Sequence, residues 1–252
     1  MIDEGRVTTE ISDRIGTITF YHPKSNSLPG ALLIKIAEEI TSLGKNDDVR
    51  VIVFRSEGEK VFCGGASFDE FKAIDNEVTG KEFFMGFTRV ILAMKKCPKF
   101  IITRVQGKAV GGAVGVLSAS DYNLAHKSAS FKLSELALGI GPFIIAAAVE
   151  KRLGYGPYTA LTIDTDWRDA DWGKTHGFYA DVFDTVEELD NAVDLLARKL
   201  SGFNPEGMAN MKSIFWSGTD HWDDLLELRA EISGRLVLSE YTKNAIAAFD
   251  KK

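Results

Sequence analysis

Two glycine-containing turns constrain the fold of this chain more than any other feature. The segments Gly64-Gly65-Ala66 and Gly111-Gly112-Ala113 each follow a run that predicts a strand and precede a helical pattern. We expect the strand before the second turn at residues 100–103. Such a turn leaves unpaired backbone N–H groups at the helix start, and these can hold a carbonyl oxygen that becomes negative during a reaction. Two neighbouring turns can present one N–H each to the same oxygen. Tight packing of a helix on a strand is the other explanation of the glycines.

The remaining pattern is typical of an α/β protein. Residues 6–11 and 15–21 predict two strands joined in a hairpin at Asp13-Arg14, and Pro29 starts an amphipathic helix. A β-branched run at residues 49–55 then predicts a buried strand, so the order strand, helix, strand indicates a parallel crossover. After residue 183 every predicted element is a helix. We therefore expect an α/β core domain at residues 1–199 and a C-terminal helical region at residues 200–252.

Composition and charge limit the classes of function. The chain has 252 residues, of which 45% are hydrophobic and 26% charged, as is ordinary for a soluble globular protein. A net charge of -6 without a run of Lys or Arg argues against nucleic acid as the main partner. The apolar runs are too short to span a membrane, and two cysteines fit a reducing cytoplasm. No histidine has a partner at metal-ligand or triad spacing.

Three segments carry recognisable motifs, namely residues 62–68, Phe-Cys-Gly-Gly-Ala-Ser-Phe, residues 23–28, Pro-Lys-Ser-Asn-Ser-Leu, and the glycine-containing residues 102–125. They resemble the crotonase superfamily, also called the enoyl-CoA hydratase/isomerase family. The first is similar to the family's FCAGAD stretch, the second to its PKxNAL segment and the third to its long glycine-containing signature. The resemblance covers essentially the whole chain. It implies a crotonase-like core, which is a spiral of ββα turns, followed by a C-terminal helical region.

The resemblance also implies the chemistry. The thioester carbonyl of an acyl-CoA is expected between the backbone N–H groups of Ala66 and Gly112, which form an oxyanion hole and stabilise a thioester enolate. This agrees with the two turns identified above. No metal or redox cofactor is implied, because CoA is part of the substrate. The expected assembly is a homotrimer or a homohexamer in the cytoplasm, with no membrane or nucleic-acid partner.

Glu135 is the candidate acid/base. It lies among the apolar residues Phe131, Leu133, Leu136 and Leu138. A carboxylate in that context is either solvated at a turn or held near a cleft with a raised pKa, and a raised pKa suits a group that takes and gives a proton near neutral pH. The family has a catalytic glutamate at the aligned position, which favours the second interpretation.

Gly115 is the main departure from the family's pattern. Hydratases of the family commonly have a second glutamate here, and two carboxylates position and deprotonate a water molecule. One carboxylate suffices to move a proton from one carbon to another, as in family members that shift a double bond. Some branched-chain hydratases, such as methylglutaconyl-CoA hydratases, also have a glycine here, so both reactions stay open. The missing side chain is expected to widen the pocket for a bulkier acyl group.

The remaining site predictions concern substrate binding. Lys24 and the backbone of Ser25 and Ser27 are expected near the nucleotide of CoA, although a solvated loop lysine is the simpler explanation of Lys24. Phe143 is expected to line the acyl pocket or to pack in the core. Further substrate-binding positions predicted from the resemblance are Phe68 and Gly111 at the two turns, and Gly115. Phe249 and Lys252 match a family Phe-x-x-Lys pattern in which the last helix contributes to the CoA site, often that of a neighbouring subunit; helix packing and a charged terminus explain them equally well.

Two hypotheses remain from the sequence. The first is an enzyme that acts on an enoyl-CoA through an enolate, with Glu135 as its single acid/base. The second is a non-catalytic family member that binds acyl-CoA or a protein. The glutamate and the two donor turns favour the enzyme.

Overall fold

The structure is a computed structural model that describes residues 4–249. The strands are β1 (Arg6–Ser12), β2 (Ile15–Tyr21), β3 (Val51–Ser56), β4 (Val61–Cys63), β5 (Phe100–Val105), β6 (Lys108–Val110), β7 (Tyr122–His126), β8 (Ser130–Lys132), β9 (Arg168–Asp169) and β10 (Asp181–Phe183). The helices are α1 (Gly30–Lys45), α2 (Phe68–Lys72), α3 (Glu77–Lys96), α4 (Gly112–Ala119), α5 (Phe143–Leu153), α6 (Tyr155–Asp164), α7 (Ala170–Thr175), α8 (Val186–Ser201), α9 (Pro205–Phe215), α10 (Trp222–Leu236) and α11 (Glu240–Phe249).

The strands form two sheets. The larger has the order β1-β2-β3-β5-β7-β10, and the smaller has the order β4-β6-β8-β9. Strands β2, β3, β5, β7 and β10 run parallel to their neighbours, whereas β1 pairs with β2 in an antiparallel hairpin. The turn of that hairpin is at Asp13 and Arg14, which have φ values of 52° and 66°, as a tight two-residue hairpin turn requires. The predicted α/β class, hairpin and parallel crossover are therefore confirmed.

The chain switches between the sheets immediately before the second glycine turn. We expected the strand at residues 100–103 to lead into that turn, but β5 ends at Val105 and the short strand β6 follows in the smaller sheet. Gly107 lies at the point where the chain changes sheets. A Cβ atom added to Gly107 would lie only 3.0 Å from the backbone nitrogen of Val61, so the two segments approach each other closely there. A strand of three residues is too short to show a period of two, and for this reason the sequence pattern did not reveal it.

The main hydrophobic core lies between the larger sheet and helices α1, α3, α4 and α5, whereas α8 covers the other face of that sheet in a smaller cluster. Helix α1 illustrates how the sequence sets this packing. The apolar residues of one face are buried and recur mostly every three or four positions, namely Leu32, Leu33, Ile36, Ile40 and Leu43, whereas Ile34 on the other face is exposed. Within the described residues, no helix is both long and apolar enough to cross a membrane.

The C-terminal helices pack onto the core. Trp222, Leu226 and Ala230 of α10 belong to the main hydrophobic cluster. Helix α10 approaches α3 so closely that a Cβ atom on Gly80 would lie 2.7 Å from the carbonyl oxygen of Gly234. The boundary we predicted at residues 199 and 200 falls in the last turn of α8. The helical region beyond it shares the core of the preceding residues.

Candidate active site

The first glycine turn is fixed by the loop that precedes α1. The amide of Gly64 donates a hydrogen bond to the carbonyl oxygen of Ser25 at 2.9 Å. Leu28 forms a parallel bridge to Ala66. The amide of Leu28 donates a hydrogen bond to the carbonyl oxygen of Gly65, and its carbonyl oxygen accepts one from the amide of Ser67. In such a bridge the opposing residue directs its own amide away from its partner. The N–H of Ala66 therefore remains without a hydrogen bond to any residue in the described range.

The second turn adopts a conformation that only glycine tolerates. Gly111 has φ 56° and ψ −120°, and it is the residue immediately before α4. Gly112 is the first residue of that helix, so its N–H has no acceptor within the helix. The two turns are neighbours, because a Cβ atom on Gly65 would lie 2.9 Å from the carbonyl oxygen of Val110. Both unpaired amides thus belong to adjacent segments.

Glu135 lies beside the second turn. It follows β8, and its carbonyl oxygen accepts hydrogen bonds from the amides of Leu138 and Ile140 at 3.1 and 3.0 Å, which fixes its backbone. A Cβ atom on Gly111 would lie 3.1 Å from Oε1 of Glu135 and 3.7 Å from the hydroxyl oxygen of Ser134. The carboxylate and the Ser134 hydroxyl therefore converge on the turn that carries the Gly112 amide.

The carboxyl group of Glu135 is desolvated although the residue as a whole is only half-buried. Its Oε2 atom is buried and has no hydrogen-bond partner among the described residues. Burial raises the pKa of Glu135 from 4.5 to about 7, and the backbone amides of Ser134 and Glu135 oppose this only in part. A carboxylic acid with such a pKa exchanges its proton readily at neutral pH.

The two turns and Glu135 line one cavity of about 700 Å³. Its lining is mostly apolar, with a small number of polar groups, as is usual for sites that bind organic ligands. Phenylalanines from the three helices α2, α3 and α5 cover its walls. They are Phe68, Phe71, Phe83, Phe84, Phe87 and Phe143. The structure thus brings Ala66, Phe68, Gly111, Gly112, Glu135 and Phe143 together in one cavity.

Gly115 does not line this cavity, and the widening we expected there is absent. A Cβ atom on Gly115 would lie 2.5 Å from Cβ of Ile145 on the adjacent helix α5. Ile145 itself lines the cavity. The space that a second glutamate would need is therefore filled by an isoleucine, and the missing side chain is compensated by helix packing.

The predicted CoA contacts in the first loop lie outside the cavity lining. Lys24 forms an ion pair with Asp69, and both side chains are more than 60% exposed. Ser25 supports the first turn through its carbonyl oxygen, and the Ser27 hydroxyl lies 3.0 Å from Nδ1 of His22. Phe249 is the last described residue of α11, and Lys252 lies outside the described residues. On the same helix, Ala245 and Ala248 line the cavity of their own chain.

Several lining residues were missed from the sequence. Phe83, Phe84 and Phe87 of α3 lie one and four positions apart, a spacing that also suits core packing. Lys132 and Trp167 line the cavity at the edge of the smaller sheet. Trp167 precedes a strand of only two residues, and no periodic signal indicated that it would lie beside Lys132.

Comparison with known proteins agrees with this architecture. The sequence model of the enoyl-CoA hydratase/isomerase family matches residues 10–249. The bacillaene synthase dehydratase PksH of Bacillus subtilis is 28% identical over 81% of this chain and 77% of its own length. The short-chain-enoyl-CoA hydratase of Clostridium acetobutylicum is 26% identical over 98% of this chain and 95% of its own length. Other relatives are named as isomerases and hydrolases.

The fold has close counterparts among solved structures. The crystal structure of enoyl-CoA hydratase from Bacillus halodurans superposes with a TM-score of 0.89 at 20% identity, and the match covers 96% of this chain and 99% of that chain. The similarity confirms the crotonase-like fold with its C-terminal helices. The family match and this fold together show that the chain belongs to the enoyl-CoA hydratase/isomerase family, also called the crotonase superfamily.

Proposed function

We propose that the protein acts on an enoyl-CoA through a thioester enolate and uses Glu135 as its single acid/base. The unpaired amides of Ala66 and Gly112 accommodate the thioester oxygen, on which negative charge develops. Preorganised donors in a water-poor site stabilise such a charge strongly, and the loss of one donor typically costs roughly 3–4 kcal/mol of activation free energy. The buried carboxyl group of Glu135 faces the same turn. Its pKa of about 7 allows it both to take and to give a proton at neutral pH.

One observation favours double-bond migration over hydration by two carboxylates. Among the described residues that line the cavity, Glu135 is the only acid. In this reaction the carboxylate removes a proton from C2 of a 3-enoyl-CoA, and the electron pair moves to the thioester oxygen to give a dienolate. The protonated Glu135 then delivers the proton to C4, and the electrons return to form the 2-enoyl-CoA. The reaction needs one group that shuttles one proton, without a bound water molecule.

The acyl chain of this substrate extends into the apolar part of the cavity. The rings of Phe71, Phe83 and Phe84 form one cluster, with centroid distances of 5.1 to 6.4 Å. Burial of each methylene group against such a surface contributes about 0.8 kcal/mol. The site therefore takes an apolar chain beyond the reacting carbons. For the nucleotide we keep the predicted contacts of Lys24, Ser25, Ser27, Phe249 and Lys252 as part of the proposal.

A product-resolved assay tests the reaction. Purified protein is incubated with 3-enoyl-CoA and 2-enoyl-CoA esters of matched length, and the isomer and the 3-hydroxyacyl-CoA are separated by chromatography. We expect migration of the double bond, strongly reduced in Glu135→Gln. Undiminished turnover by that variant would contradict the proposed role. Binding of every ester without any turnover would favour the non-catalytic alternative.

Hydration with one carboxylate is the second candidate. It is favoured by the Ser134 hydroxyl, which lies with Glu135 at the second turn and can help to hold a water molecule. The branched-chain hydratases named above are the corresponding alternative. In H₂¹⁸O, incorporation of the label into a 3-hydroxyacyl product identifies hydration, whereas migration leaves the product unlabelled.

We further propose that the protein is a homotrimer or a pair of trimers. Helix α9 exposes Met211, Ile214 and Phe215 on its surface, and Leu228 of α10 is also exposed. The residues of α9 are three and four positions apart and share one face of the helix, and exposed apolar surface of this kind is typical of subunit contacts. Light scattering coupled to gel filtration measures the mass, and a monomer at micromolar concentration would contradict this assembly.

A further inference from the structure

The smaller sheet presents two lysines and a tryptophan on one face. Val110 pairs with Lys132, and Phe131 pairs with Arg168, so Trp167 lies beside Lys132. Successive side chains of a strand point to opposite faces. Ala109 and Phe131 are completely buried on the inner face, which leaves Lys108, Lys132 and Trp167 on the outer one. We call these three residues the Lys–Trp–Lys cluster.

Both ammonium groups of the cluster lie against the same ring. Nζ of Lys108 is 5.3 Å and Nζ of Lys132 is 5.1 Å from the centroid of Trp167. Each distance is within the range of a cation–π interaction, so the indole holds two like charges close together. Trp167 as a whole residue is 42% exposed, which leaves it accessible to a ligand.

The two ammonium groups of the cluster lie outside the described ion pairs. Within the described residues, neither lysine forms an ion pair with a carboxylate. Asp164 pairs with Arg168 at 2.5 Å, and Asp169 accepts the amide of Trp172 at 2.8 Å as a helix cap. Asp166 is exposed and pairs with neither lysine. Both ammonium groups therefore remain available to a ligand, although the chain has a net charge of -6.

The cluster is continuous with the candidate active site. Lys132 and Trp167 line the same cavity as Glu135 and the two glycine turns. The Gly111 amide donates a hydrogen bond to the carbonyl oxygen of Lys132 at 3.0 Å, so the strand that carries Lys132 also positions the second turn. A ligand bound at the two amides can therefore reach the cluster with another part of the same molecule.

We propose that the Lys–Trp–Lys cluster is an anion-binding subsite for the substrate, which takes a carboxylate or phosphate group carried on an apolar stem. This rests on the proposed acyl-CoA function of the cavity. The two ammonium groups supply charge-assisted hydrogen bonds to the anion, and the indole face packs against the stem. Two parts of a substrate have this chemistry. They are a carboxylate at the far end of the acyl chain and a phosphate of the CoA nucleotide.

Equilibrium binding of four saturated thioesters tests the subsite without any turnover. Hexanoyl-CoA and adipoyl-CoA differ only in a terminal carboxylate, and the pantetheine thioesters of the same two acids lack the nucleotide phosphates. Dissociation constants are measured by calorimetry for the wild type, Lys132→Met and Lys151→Met. Lys151 is a matched control, because its Nζ lies 5.7 Å from the ring centroid of Trp216 and it does not line the cavity.

The pattern across the four ligands identifies the anion. We expect Lys132→Met to weaken binding about tenfold, as befits the loss of one hydrogen bond to a charged group. If only the two adipoyl thioesters are affected, the subsite takes an acyl carboxylate; if only the two CoA esters are affected, it takes a nucleotide phosphate. Lys151→Met should leave all four constants unchanged.

Two results would overturn the inference. One is that Lys132→Met leaves all four constants unchanged. The other is that it weakens hexanoyl-pantetheine, which carries no anionic group, as much as the others. Failure of the proposed reaction is a separate result, because it appears as absent turnover of enoyl esters while the binding pattern of the saturated esters persists.

Discussion

Glu135→Gln should make the protein more stable at alkaline pH while it removes activity. The cause is the buried carboxylate, whose pKa rises from 4.5 in an unfolded chain to about 7 in the folded protein. Between these values the folded state keeps a proton that the unfolded state has released. The free energy of unfolding of the wild type therefore falls as the pH rises through this window. Glutamine keeps the shape of the protonated side chain and never ionises.

The magnitude follows from the two pKa values. One pKa unit corresponds to about 1.4 kcal/mol, so a rise from 4.5 to about 7 costs the ionised wild type about 3 kcal/mol at pH 8. At pH 5 the same comparison gives a difference below about 1 kcal/mol, because nearly all folded molecules and about a quarter of the unfolded ones are protonated there. The gain in stability therefore grows between about pH 5 and pH 7 and changes little above pH 7.

Urea unfolding at pH 5, 6, 7 and 8 measures this difference. The exposed Glu38 of α1 offers a matched control, and Glu38→Gln should change stability little at any of these pH values. A Glu135→Gln variant that is no more stable than the wild type at pH 8 would refute the reasoning. A gap of equal size at pH 5 and pH 8 would also refute it, because it would show that the effect does not come from ionisation.

Three further predictions follow from the same contacts. Gly115→Glu should destabilise the fold by about 1–3 kcal/mol or more, because Ile145 occupies the space that the new side chain needs. Urea unfolding measures this loss, and the double variant with Ile145→Ala should recover part of it. Lys212→Met should lower the free energy of unfolding by about 3–5 kcal/mol, because Nζ of Lys212 lies 2.8 Å from the buried carboxylate of Asp121, which the variant leaves without its cation. Adding Asp121→Asn should restore part of this lost stability. The value of kcat/KM should rise with pH through about 7, since the ionised form of Glu135 takes the first proton, and a flat profile from pH 5.5 to 8.5 would contradict this.

The sequence predicted those parts of the site that depend on local structure. The two glycine turns were visible because a strand, a glycine pair and a helical pattern follow one another within a few residues. Glu135 was identified from its apolar neighbours and from the family resemblance. Its burial was one of two alternatives in the sequence, and only the packed structure shows that Oε2 is covered.

Contacts between distant segments could not be predicted in the same way. Ile145 is far from Gly115 in the sequence, and their contact depends on how α5 packs on α4. We therefore expected a wider pocket where the structure has a filled one. The neighbourhood of Lys108, Lys132 and Trp167 likewise depends on the register of short strands in the smaller sheet, which no period reveals.

The central claim is that one buried acid moves one proton beside two amide donors. Isotope transfer during isomerisation tests it most directly. A 3-enoyl-CoA that carries deuterium at C2 is converted in ordinary water, and the product is examined by mass spectrometry and NMR. A single carboxyl group that is shielded from water should return part of the deuterium to C4 of the product. The variant Glu135→Gln should form almost no product. Isomerisation by that variant at the wild-type rate would contradict the account.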